Sequence, residues 1–109
     1  MSQATSYRLL DHADTTGPGP VQNFEFTAVT AAAVQAKFEG VSRRVEVSLM
    51  ARLAGDMPWA PIATIDTASG FASGDIAMIK LPAAAVELHA DVLRLDGGGS
   101  VTLHFRAIQ

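Results

Sequence analysis

Apolar and polar residues alternate with a period of two in run after run of this chain. The clearest case is Val34-Gln-Ala-Lys-Phe-Glu39, which mirrors Arg44-Val-Glu-Val-Ser-Leu49 across Gly40-Val-Ser-Arg43. Folded back as a hairpin, the two runs set Val34 against Leu49, Ala36 against Val47 and Phe38 against Val45 on one face. Gln35 then meets Ser48, Lys37 meets Glu46 and Glu39 meets Arg44 on the other. An antiparallel pair with one dry and one wet side requires that division. The end of the chain registers in the same way over Asp96-Gly-Gly-Gly99. Leu95 pairs with Ser100, Val92 with Leu103, Ala90 with Phe105 and Leu88 with Ala107. The polar face of this second predicted hairpin carries Asp91 opposite His104 and His89 opposite Arg106.

Between these runs the punctuation is that of an all-β chain. Thr15-Thr-Gly-Pro-Gly-Pro20 continues neither a helix nor a central strand, and before it Tyr7-Arg-Leu-Leu-Asp11 reads as an edge strand or a docking arm. Asn23 to Thr30 alternates as a strand does. Ala31 to Ala33 have helical propensity, which the cross-strand register overrides. Leu53 to Pro61 is a turn, Ala60 to Ile65 a strand, Asp66 to Gly74 a loop and Asp75 to Leu81 a strand, while Pro82 to Ala85 has room for one helical turn. About eight short strands, with turn signals every ~8–12 residues, predict an antiparallel β-sandwich of jelly-roll-like form, with an open barrel as the alternative. Residues 1–23 form an N-terminal arm or edge segment, and 24–109 the sandwich domain.

Composition narrows the function. A single domain of 109 residues buries on the order of 65% of its unfolded surface and folds without staples. The net charge of -3 offers no basic surplus for a phosphate backbone, so nucleic acid is not an expected partner. There is no cysteine, which removes disulfides, thiolate metal sites and cysteine nucleophiles together. Charged residues are 17% of the chain, against roughly 25% in ordinary soluble domains. Either partners cover much of the surface or the alanine content inflates the apolar share. No secretory signal opens the sequence, and Gln35, Lys37, Glu46 and Lys80 interrupt every apolar stretch before it reaches a membrane span.

Candidate chemistry is sparse. Asp91 beside His104 resembles a base with its orienting carboxylate, but no serine is placed as a nucleophile, and a solvated cross-strand pair accounts for it. Asp11-His-Ala-Asp14 offers ligands without a second cluster to complete a metal site. Gly97-Gly-Gly99 lacks the Lys-Ser/Thr of a phosphate-binding loop. Arg43-Arg44 is a basic turn, with one arginine assigned to Glu39. No catalytic, cofactor or metal site is expected. Trp59 and Phe71 are candidates either for core packing or for exposed contacts. With Tyr7, Leu9, Leu10 and Met57 they make up the expected partner-contact set.

The order of Phe38-Glu-Gly40, Val45 to Leu53, Gly55-Asp-Met-Pro-Trp59 and Pro61-Ile-Ala-Thr-Ile65 resembles the small β-sandwich structural proteins of tailed bacteriophages. Leu81-Pro-Ala-Ala, Val86 to Leu95 and Gly97-Gly-Gly-Ser-Val-Thr-Leu103 resemble their closing strands, so that the likeness spans about residues 33 to 108. Many of those proteins have Asp-Gly before the tryptophan and Arg-Ala in the penultimate strand, where this chain has Gly55-Asp56 and His89-Ala90. The resemblance implies a non-enzymatic virion part assembled in the host bacterial cytoplasm. The implied role is head decoration or cement, or a small neck or tail part; the alternative reading is a tail or neck module that binds carbohydrate or a receptor with Trp59 and Phe71 as stacking platforms. The implied partners are the major capsid protein or other virion proteins; exposed sheet edges and few surface charges add further copies of the chain as expected partners, and no cofactor, nucleic acid or membrane is expected.

Overall fold

The computed structural model describes residues 6–25, 31–40, 43–82 and 85–108. Nine strands are present among them: β1 (Ser6–Ala13), β2 (Gly17–Pro18), β3 (Gln22–Glu25), β4 (Ala31–Glu39), β5 (Val45–Arg52), β6 (Ala60–Asp66), β7 (Ile76–Lys80), β8 (Ala85–Leu95) and β9 (Ser100–Ile108). They form two antiparallel sheets. Sheet A has the order β1-β9-β4-β7, and sheet B the order β2-β8-β5-β6, with β3 also paired to β8. The shortest extent of the molecule, 22 Å, accommodates two sheets about 10 Å apart with side chains on both outer faces.

Among these strands, β5 and β6 alone pair with a sequence neighbour, through the turn that follows Arg52. Outward from that turn, β4 runs beside β7, β3 and β2 beside β8, and β1 beside β9. The chain is therefore one long antiparallel ribbon, rolled so that successive segments alternate between the sheets. With β2 and β3 counted as one interrupted strand, this is an eight-stranded jelly roll. The expectation of an antiparallel jelly-roll sandwich holds.

The two predicted hairpins do not form. β4 pairs with β9 and β7, and β5 with β8 and β6, so the link around Gly40 is a corner between sheets. Lys37 lies opposite Thr102, and Glu46 opposite Arg94 and Asp66. β8 and β9 likewise belong to different sheets. Asp91 lies opposite Ser48 and Pro18, whereas His104 lies opposite Gln35 and Arg8, so the expected Asp91–His104 pair is split between sheets. A period of two identifies the residues that share a dry face. It does not say whether two dry faces lie side by side in one sheet or meet face to face across a core. Here they meet: Val34 and Ala36 from β4, and Val45, Val47 and Leu49 from β5, are all buried in one core. Gly97, Gly98 and Gly99 all take positive φ, at 87°, 77° and 94°, and turn the chain from sheet B to sheet A.

Ala31 to Ala33 are strand, as the register argument required, and Ala32 is buried. The expected strand over Asn23–Thr30 is present as β3 through Glu25, with 26–30 outside the described residues. Of the helical turn expected over Pro82 to Ala85, Ala85 instead begins β8, and 83–84 lie outside the described residues. β1 is an edge strand with register shifts between Arg8 and Leu10 and between Leu10 and Ala13. The first is a bulge that breaks the alternation and sends the consecutive Leu9 and Leu10 into the core. Gly19 sits where a Cβ would meet the Leu10 side chain at 2.7 Å, and its N–H donates to the Ala90 carbonyl at 2.7 Å. Only a residue without a side chain lets the backbone approach so closely.

An aromatic run crosses the core from Phe105 to Phe24, with centroids 5.0 Å apart, and on edge-to-face to Tyr7 at 5.5 Å. Phe105 is wholly buried and is the largest such side chain. Phe105→Ala is expected to lower stability by about 3–5 kcal/mol, measured by urea unfolding. A loss below about 1 kcal/mol would show that Phe105 is not the centre of the core.

Candidate interaction site

The turn between β5 and β6 is shaped by its own sequence. The Met57 N–H donates to the Ala54 carbonyl at 3.1 Å, and Pro58 and Pro61 restrict the exit into β6. This returns Trp59 over the outer face of sheet B. On that face β5 presents Ser48, Met50 and Arg52, and β8 presents Glu87, His89 and Asp91, alternating with the inward Leu88 and Ala90. The Arg52 guanidinium lies 4.2 Å from the Trp59 ring centroid and donates to Glu87 at 3.0 Å. The edge-to-face contact of Trp59 with His89, also at 4.2 Å, completes the cluster. His89 is 6% exposed, and its Nδ1 makes no hydrogen bond among the described residues. Burial pushes its pKa below the ordinary histidine value, against the pull of Asp91.

Beside this cluster, Leu53, Met57, Pro58, Ile62 and Pro82, together with Arg52, line a groove of about 290 Å³. Leu53 is 64% exposed and Met57 52% exposed. This end of the sandwich thus joins an apolar groove, two exposed apolar side chains and one cation already shared between an indole and a carboxylate. It has the composition of a contact surface.

The expected contact residues fall in different places. Met57 and Trp59 belong to this end, Met57 exposed and Trp59 half-buried. Phe71 is half-buried and packs against Phe38 with centroids 6.2 Å apart, filling a corner between the sheets. Tyr7 is partly exposed at the edge of β1. Leu9 and Leu10 are core residues, because the bulge in β1 turns both inward, and they present no surface to a partner. Sequence reasoning passed over Leu53, Arg52, Ile76 and Met78. The last two carried a signal: the run Ile76-Ala-Met-Ile-Lys-Leu81 is apolar on both parities, so one of its faces has to lie outside the core.

The corner between β4 and β5 is held by charge. Arg44 donates to Asp66 through Nε at 3.0 Å and Nη2 at 2.6 Å, not to Glu39, which accepts from Lys37 at 3.2 Å. Asp66 also accepts from the Ala68 N–H at 2.9 Å and so caps a single 3-10 turn, Thr67–Ser69. Asp66 ends β6 and Arg44 precedes β5, so the pair clamps together the two strands of the ribbon where they cross between sheets. The hydrogen bonds from Arg44, followed by that from Ala68, bring the Asp66 pKa down to about 2. At the exposed edge of β1, Asp11 lies 2.7 Å from His12 Nδ1, and His12 Nε2 lies 3.5 Å from Glu39. No group of three or more ligating side chains among the described residues is placed to hold a metal.

No family model and no curated protein matches this chain. Among solved structures, its fold is similar to the crystal structure of SPBc2 prophage-derived protein YomS. The TM-score is 0.62 at 10% sequence identity, over 100% of this chain and 97% of that one. The likeness is one of fold, and it covers the whole two-sheet arrangement.

His89 and Asp66 act on stability with the same sign. Below about pH 6.5 the unfolded histidine gains a proton that buried His89 resists, so stability falls as pH falls. The Asp66 pair contributes fully above about pH 4, and that contribution is lost as pH falls toward 2. Thermal melting is expected to decline in two stages on acidification, with His89→Leu removing the first and Asp66→Asn the second. A melting temperature unchanged from neutrality to about pH 3 would contradict both assignments.

Proposed function

We propose that this protein is a non-enzymatic structural component of a phage virion, and within that class a head decoration or cement protein that binds the outside of the capsid and stabilises it. The observation that carries the reading is the apolar end of the sandwich, where exposed Leu53 and Met57 flank a groove beside Trp59 and Arg52. Methionine, tryptophan and arginine are the side chains enriched at the centres of protein interfaces. The fold likeness to a prophage-derived protein and the resemblance of residues 33 to 108 to phage sandwich proteins supply the phage context. The partners are the major capsid protein or other virion proteins, and further copies of the chain, in a virion assembled in the host bacterial cytoplasm. Stiffening comes from area buried across adjacent shell subunits, without cofactor, nucleic acid or membrane.

The second reading, a neck or tail module that binds carbohydrate or a receptor, would use Trp59 as a stacking platform. Its weakness is that Arg52 covers one face of the ring and His89 meets it edge to face, which leaves little free π surface for a sugar.

Purified particles of the encoding virus are expected to contain this chain in stoichiometric amount, and shells stripped of it to take it up again in co-sedimentation. Leu53→Glu combined with Met57→Glu is expected to weaken uptake at least about tenfold, the effect of losing one well-buried contact. Particles that lack the chain would exclude the virion reading. Glycan binding that Trp59→Ala abolishes would replace head decoration with the second reading.

A further inference from the structure

The edges of the two sheets are not alike. β1 is broken by two register shifts and carries Arg8, Asp11 and His12. β6 contains Pro61 and faces a register shift between Leu49 and Met50. β2 and β3 are short and separated by Gly19 and Pro20. Bulges, prolines, charges and interruptions are the features that keep an edge from pairing with another chain. β7 contains no proline, pairs with β4 from Ile76 to Lys80 without a shift, and has no strand on its other side among the described residues. On its outer face Ile76 is 64% exposed and Met78 63% exposed.

We propose that β7 is the surface through which two copies of this chain associate. The strands pair antiparallel about a two-fold axis and join the two β1-β9-β4-β7 sheets into one continuous sheet. Isologous contact of this kind needs a self-complementary strand, and β7 is one. Asp75 precedes it and Lys80 ends it, and Lys80 has no ion-pair partner among the described residues. Antiparallel pairing brings the acidic end of each strand to the basic end of the other. Parallel pairing would set like charges together.

Register follows from the pleat, because inward residues must oppose inward residues. A pairing centred on Ala77 sets Asp75 opposite the partner's Ile79, a carboxylate against a side chain that is buried in this chain. A pairing centred on Met78 instead sets Met78 opposite the partner's Met78 and Ala77 opposite the partner's Ile79. Ile76 then lies opposite the partner's Lys80, whose methylenes cover it while its ammonium stays in water. The second register pairs all five residues of β7 with the partner's β7, where the first pairs only three, and it leaves Asp75 opposite the partner's Leu81 beyond the ends of the strand. This inference concerns copies of the chain alone and does not rest on the virion reading.

The test is sedimentation of the full chain from micromolar to millimolar concentration, where a concentration-dependent dimer is expected. Met78→Lys, at an exposed position, is expected to leave the circular dichroism spectrum unchanged and to weaken dimerisation at least tenfold. In this cysteine-free chain, Met78→Cys is expected to form an intermolecular disulfide on mild oxidation, since directly opposed strand residues lie within disulfide reach. Leu93→Cys, on β8, is not. A chain that stays monomeric throughout overturns the proposal. So does a dimer that Met78→Lys leaves intact, or Met78→Cys that links no faster than Leu93→Cys. Shell binding lost in Met78→Lys without any dimer assigns the edge to another protein, and likewise overturns it.

Discussion

The long strands of this chain each have one dry face, and the structure depends on covering that face with another sheet. A lone antiparallel ribbon leaves one side bare, and exposed apolar area is unfavourable by about 25 cal/mol per Å². Rolling the ribbon solves the problem: each segment that crosses to the opposite sheet lays its dry face over that of the segment before it. The buried set of Val34, Ala36, Val45, Val47, Leu49, Leu88, Val92, Leu103 and Phe105 is the outcome, drawn from four strands in two sheets. The crossings then need anchors. Arg44 and Asp66 supply one at the point where both strands of the ribbon change sheet, and Ser73 another through its hydroxyl, which accepts from the Phe38 N–H at 2.9 Å.

The sequence made the strands legible because alternation is a local property of side-chain chemistry. β4 through β9 lie close to where the runs placed them, Ala31 to Ala33 included. Pairing was not legible for the same reason. Val34 and Leu49 do lie in one core, as matched dry residues should, but on opposite sheets and not along a ladder. The charge match of Lys37 with Glu46 was therefore a coincidence between two outer faces pointing in opposite directions. Leu9 and Leu10 defeated the alternation through a bulge, which no period of two anticipates. At the interaction site, Trp59 and Met57 stood out as residues, but their setting did not. The stack of Arg52 on Trp59 and the burial of His89 depend on β5 and β8 being neighbours, a relation that pattern alone does not supply.

The division of labour within the fold follows the same constraint. Inward faces are uniformly apolar and leave no room for chemistry, so whatever the molecule recognises is placed on the outer faces, the turns and the edges. The end near Trp59 and the edge at β7 concentrate exposed apolar side chains that the core has no use for. They lie on different sheets, one at the β5–β6 turn of sheet B and the other at the rim of sheet A. The proposed contacts with a shell and with a second copy therefore use separate surfaces.

The central claim is that β4 and β5, like β8 and β9, lie in opposite sheets across the core instead of pairing side by side, and paired cysteines test it most directly. Lys37→Cys with Thr102→Cys joins residues directly opposed on β4 and β9, and an intramolecular disulfide is expected under mild oxidation without loss of fold. Lys37→Cys with Glu46→Cys places the thiols on opposite outer faces and is expected to stay reduced within the monomer. Ready closure of the second pair, with the first remaining open, would restore the simple hairpin and contradict the rolled ribbon.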